Sequence, residues 1–103
     1  MRYIYVIELD PAVLKLNRFV DANPRYQTGM PLAYVGLTSR KPEQRFEQHK
    51  KGVKSSKIVK RFGLKLINTQ CEVIKSSAYE VALARESAKA NELRTRGWGV
   101  WSN

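Results

Sequence analysis

Short apolar segments, each closed by proline or glycine, set the size of every element this chain can form. Tyr3 to Leu9 is aromatic and β-branched and stops at Asp10-Pro11, so it reads as a buried strand. Asp10 offers an N-cap and Pro11 a first helical position. Val13, Leu14, Leu16 and Val20 then suggest a helix that ends before Pro24. Asn23-Pro24 and Thr28-Gly29 punctuate a loop. Leu32 to Leu37 reads as a second strand. Thr38 or Ser39 can cap a helix entered through Pro42 and ended by Gly52. Ser55 or Ser56 opens a short basic helix holding Ile58, Val59 and Phe62, which Gly63 stops. A third strand is expected within Leu64 to Ile74, and the longest helix from Ser76 or Ser77 to about Arg96. The predicted order is β-α-β-α-α-β-α: one small three-stranded sheet covered by helices, an α+β domain.

At 103 residues the chain has room for one domain, and its 43% hydrophobic content can fill one core. No apolar run is long enough to cross a membrane, and Glu8 interrupts the first one too early for a signal peptide. Cys71 has no partner for an internal disulfide, which agrees with a cytoplasmic protein. One cysteine and one histidine exclude a zinc finger within this chain.

Charge points to a partner. Nineteen Lys and Arg against nine Asp and Glu give a net charge of +10. Between Lys50 and Lys65 lie Lys50, Lys51, Lys54, Lys57, Lys60, Arg61 and Lys65 with no acid among them. A solvated helix face would interleave Glu with Lys, so a polyanion, most often nucleic acid, is the expected partner.

Three features depart from a plain core-and-surface pattern. Tyr79, Leu83, Glu86, Ala90 and Leu93 recur at helical spacing, so a carboxylate stands on an otherwise apolar stripe. It must be paired, bound to a metal, or open to a cleft. Arg45 and His49 are one helical turn apart on one face. Tyr3-Ile4-Tyr5 and Tyr34-Val35-Gly36 would bring two phenols together if the strands pair, with Gly36 allowing close approach.

Together these residues resemble the GIY-YIG nuclease family. Tyr3-Ile4-Tyr5 stands where that family has Gly-Ile-Tyr, and Tyr34-Val35-Gly36 where it has Tyr-Ile-Gly. Arg45 follows Tyr34 by eleven residues, His49 comes one turn later, Lys54-Ser55-Ser56-Lys57 matches a polar segment opening the next helix, and Glu86 lies on the last long helix. The resemblance runs from Tyr3 to about Trp98. It implies a mainly antiparallel sheet and makes residues of about 10–31 a helix-loop insertion in a single domain spanning 1–103. It implies a metal-dependent endonuclease that hydrolyses phosphodiester bonds in DNA. Glu86 would hold Mg²⁺ (or Mn²⁺), and Arg45 would grip the phosphate with a bidentate fork. Tyr5 would act on the water nucleophile as general base or through hydrogen bonding, with Tyr34 and His49 orienting water and phosphate. All five are expected to line one cleft, Arg45 and Glu86 on opposite walls. Lys50, Lys51, Lys54, Ser55, Ser56, Lys57, Lys60 and Arg61 would dock the backbone. No base-reading module accompanies them, so low or structure-based specificity is expected. Two readings compete: a non-catalytic nucleic-acid-binding module of the same fold, and a small accessory protein of a nucleoprotein assembly.

Overall fold

The computed structural model describes residues 1–102 as a mixed sheet with helices on both faces. Strand β1 (Arg2–Leu9) lies at its centre. It runs antiparallel to β2 (Leu32–Thr38), with Tyr5 opposite Gly36 and Tyr3 opposite Thr38. Two short strands, β3 (Gly63–Leu66) and β4 (Glu72–Ile74), pair in succession with the other edge of β1, both antiparallel. The last strand, β5 (Gly99–Ser102), pairs parallel with β2.

The α+β class therefore holds, but the sheet has five strands where three were expected. The expected third strand is two pieces, separated by a 3-10 turn at Asn68–Gln70. β5 gained its place from partners remote in sequence. Asn23 is buried and takes the Val100 N–H on its Oδ1 at 2.8 Å, while its Nδ2 donates to the Val100 carbonyl at 3.0 Å. Together with Arg94, whose Nη2 also donates to the Val100 carbonyl at 3.0 Å, Asn23 satisfies the outer edge of the strand at Val100, which would otherwise leave buried polar groups unpaired.

Alternation along β1 and β2 sorts the core into two layers. Tyr5, Ile7, Leu9, Leu32 and Tyr34 face one side, covered by helices α1 (Asn17–Asp21), α2 (Pro42–Lys51) and α3 (Lys57–Phe62). Phe19, Ile58, Val59 and Phe62 fill that layer. Ile4, Val6, Ala33, Val35 and Val100 face the other side, covered by helix α4 (Tyr79–Thr95) through Ala82, Ala90 and Leu93. Cover on both faces explains why β1 and β2 read as nearly continuous apolar runs.

Residues 10–31 form two short turns of helix and a loop rather than one helix. Asp10 caps a 3-10 turn at Pro11–Lys15 by accepting the Ala12 N–H at 2.8 Å, and the chain breaks at Leu16 before α1.

Candidate active site

Tyr5, Tyr34 and His49 come from β1, β2 and α2 and meet in the layer beneath α2 and α3. The ring centroids of Tyr5 and Tyr34 are 6.0 Å apart, those of Tyr5 and His49 5.8 Å, and those of Tyr34 and His49 5.6 Å. All three are buried, with no more than 2% of each exposed. Tyr5 Oη lies 2.7 Å from His49 Nε2, and the backbone N–H of Ser56 donates to His49 Nδ1 at 3.1 Å. Both ring nitrogens are thus engaged.

Gly36 makes this packing possible. A Cβ there would lie 2.3 Å from Tyr5 Cζ, closer than any real contact. Gly36→Ala must displace a buried ring fixed by its neighbours, which is overpacking at a site with no room to relax. We expect a loss of about 1–3 kcal/mol or more, read as a shift in the denaturant midpoint with unchanged slope. Stability equal to wild type would mean the Tyr5 ring is free to move.

Arg45 stands beside this cluster, half-buried, and its guanidinium has structural work. Nη1 donates to the Val53 carbonyl at 3.2 Å and to Gln48 Oε1 at 3.3 Å, and Nη2 donates to the Lys54 carbonyl at 2.8 Å. These bonds hold the loop after α2. Gly52 turns the chain there at φ 85°, and Lys54 adopts φ 44°, a left-handed conformation that costs a β-carbon-bearing residue about 1–2 kcal/mol.

Burial and charge set the titration of the cluster. Burial pushes the Tyr5 phenol well above its ordinary range, and Tyr34 adds to this, while Arg45 pulls the other way. The phenol is therefore neutral at pH 7. Burial, with Arg45 second, lowers His49 to about 4, so its imidazole is neutral as well.

Glu86 does not join them. It belongs to α4, on the opposite face of the sheet, in a surface depression of about 440 Å³ lined by Arg2, Leu37, Thr38, Ser39, Tyr79, Leu83 and Glu86. In place of the expected single cleft with Arg45 and Glu86 on facing walls, the Tyr5 cluster lies within one core layer and Glu86 in a depression on the α4 side. Their levels differ by two residues along β2, from Gly36 to Thr38, roughly 7 Å of strand. Burial raises the Glu86 carboxyl, and none of the described ion pairs includes it. The cations of α4 go elsewhere. Arg85 donates to both carboxylate oxygens of Glu72 at 2.7 Å and to Glu92 at 2.9 Å, and Lys89 reaches Glu72 at 3.1 Å. Sequence reading missed this network. The spacing of Arg85, Lys89 and Glu92 on one helix face could have suggested part of it; Glu72, from β4, could not. Among the described residues no group of three or more His, Cys, Asp or Glu forms a metal cage.

The basic segment lies on α2 and α3, on the same side of the sheet as the Tyr5 cluster. Lys51, Lys54, Lys57, Lys60 and Arg61 are exposed, and Ser55 and Ser56 are half-buried, Ser56 against His49. Lys50 is exposed too and makes structural contacts. Its ammonium donates to the Lys60 carbonyl at 3.2 Å and the Gly63 carbonyl at 2.8 Å, closing the C-terminal end of α3. Lys65 sits 3.8 Å from Glu8 at the far end of the sheet. No described helix is long and apolar enough to cross a membrane. Comparisons with protein-family models, with curated proteins and with solved structures find no match for this chain.

Proposed function

We propose that this chain is a metal-dependent endonuclease of GIY-YIG type that hydrolyses phosphodiester bonds in DNA with low or structure-based specificity. One observation supports it most: Tyr5, Tyr34, Arg45 and His49, drawn from β1, β2 and α2, gather on one face of the sheet beneath an exposed basic surface. Tyrosine, arginine and histidine are residue types suited to holding a phosphate and its attacking water.

Glu86, Thr38 and Ser39 offer one carboxylate and two hydroxyls. That donor set fits Mg²⁺ or Mn²⁺, which keep several waters and use one or two carboxylates with substrate phosphate. It does not fit a metal that needs a full protein cage. Glu86 would hold the ion, which would supply Lewis-acid relief for the leaving 3′ oxygen. On the chain's own side, Arg45 carries fixed positive charge toward the phosphate, and Tyr5 and Tyr34 offer hydroxyl groups. Lys51, Lys54, Lys57, Lys60 and Arg61 would grip the backbone without reading bases.

A second reading, a nucleic-acid-binding module without catalysis, is favoured by Glu86 lying on the other face of the sheet and by Arg45 already holding its own loop. One experiment separates them. Purified chain is incubated with labelled duplex, flap and single-stranded DNA, and with RNA, in Mg²⁺ or in EDTA. Cleavage that EDTA abolishes is expected. In EDTA, binding should weaken with salt at a log–log slope of about −4 to −5 on duplex, as about five phosphates are neutralised. Binding without cleavage of any substrate would favour the second reading. Affinity independent of salt would remove nucleic acid as the partner.

A further inference from the structure

The Tyr5–His49 hydrogen bond could run either way, because a phenol and a neutral imidazole each donate and accept. The other ring nitrogen decides. The Ser56 backbone N–H can only donate, and it is aimed at His49 Nδ1 at 3.1 Å. Nδ1 must therefore present a lone pair. A neutral ring then carries its hydrogen on Nε2. That N–H points along the 2.7 Å line to Tyr5 Oη and donates to it. A phenol oxygen that accepts from imidazole keeps its own hydrogen for another acceptor. Arg45 offers none, since a guanidinium only donates. Tyr34 is the neighbour with which Tyr5 shares a further hydrogen bond.

We propose that Ser56, His49 and Tyr5 form a relay of fixed polarity, in which Tyr5 accepts from His49 and directs its own hydrogen toward Tyr34, so that Tyr5 is held from taking a proton from water. This rests on the phosphodiester reading above and takes from Tyr5 the general-base role expected from sequence. His49 is a positioning residue in this scheme: it fixes which way Tyr5 points its hydrogen. No proton is transferred in the relay, so no acceptor for one is required. The loop that bears Lys54 and Ser56 is tied to the cluster at both of its ends, by Arg45 and by His49. Docking of a backbone on that loop is thereby linked to the orientation of the phenol.

The test uses the whole chain. His49 is the single histidine, so a long-range ¹H–¹⁵N correlation spectrum at pH 7 reads its tautomer without ambiguity. The expected pattern is an unprotonated Nδ1 and a protonated Nε2; the reverse pattern overturns the proposal. Two variants then test polarity in the cleavage assay. Gln at position 49 can still accept from Ser56 and donate to Tyr5, whereas an ionised Glu, the form tested at high pH, can only accept. His49→Gln is expected to keep cleavage within about threefold, with the pH profile of wild type, and His49→Glu to lose about tenfold or more. Equal activity in the two variants would overturn the relay. Should His49→Glu fail to fold by circular dichroism, the spectrum of the wild-type ring decides. A chain that cleaves nothing ends the nuclease reading, while the spectrum still decides the polarity of the relay.

Discussion

Mg²⁺-dependent cleavage is expected to fall by about a hundredfold or more in Glu86→Gln, with DNA affinity in EDTA unchanged. The substitution keeps the size and hydrogen-bonding shape of the side chain and removes only the charge that would hold the ion. None of the described ion pairs includes Glu86, and burial already disfavours its ionised form. Thermal stability should stay equal or rise slightly, because the ionised form of a half-buried carboxylate is removed. Undiminished cleavage in Glu86→Gln would move the metal to another residue. Arg45→Lys provides the contrast. It keeps the charge but loses the planar fork, and cleavage should drop by a similar factor. Here the melting temperature should drop too, since the Val53 and Lys54 carbonyls lose their donors. A variant that loses activity with its fold intact and one that loses both together are thus distinguishable in a single set of melts.

Stability is expected to decline as pH falls from about 6.5 toward 4, and His49 is the group responsible. Its folded pKa of about 4 lies below the unfolded value of 6.5, mainly through burial and secondly through Arg45. Between those two values the unfolded chain binds a proton that the folded chain refuses. The stability contributed by the neutral ring is complete above pH 6.5 and is lost as pH drops through the window. The total is on the order of 3 kcal/mol. Protonation would also set a hydrogen on Nδ1 against the Ser56 N–H, so the cation has no comfortable place in the fold. Glu72, held down to about 2 by Arg85, weakens the fold only at lower pH, as pH falls below about 4.5. Glu86, whose carboxyl burial raises, works in the opposite sense as pH falls, so the histidine is isolated by comparing urea melts of wild type and His49→Gln between pH 7 and pH 5. His49→Gln should remove the decline in that interval whatever its own stability. The same change with pH in both chains would mean that the imidazole reaches solvent.

Local pattern was enough to determine β1, β2, α2, α3 and α4, because each is bounded by residues with a steric or hydrogen-bonding reason to stop it. Gly52 and Gly63 close α2 and α3 where their positions said they would. The convergence of Tyr5, Tyr34 and His49 was legible too: antiparallel pairing of the two tyrosine strands puts Tyr5 opposite Gly36, and the short link to α2 leaves His49 little choice. What only the tertiary structure decided are the features whose cause lies elsewhere in the chain. β3 and β4 are two strands because both pair with β1, which has length for two partners end to end. β5 is four residues with no signal of its own, held by β2 on one edge and Asn23 on the other. Most consequential is Glu86. Its stripe with Tyr79, Leu83, Ala90 and Leu93 shares one helix face, but α4 is rotated so that Ala82, Ala90 and Leu93 are the residues buried against the sheet. Tyr79 and Leu83 stay exposed and, with Glu86, line the depression beside Arg2, Leu37 and Thr38. Periodicity tells which residues share a helix face, but which face of the sheet that helix covers is fixed only when the strands have alternated their side chains to the two sides and each helix has buried its apolar stripe.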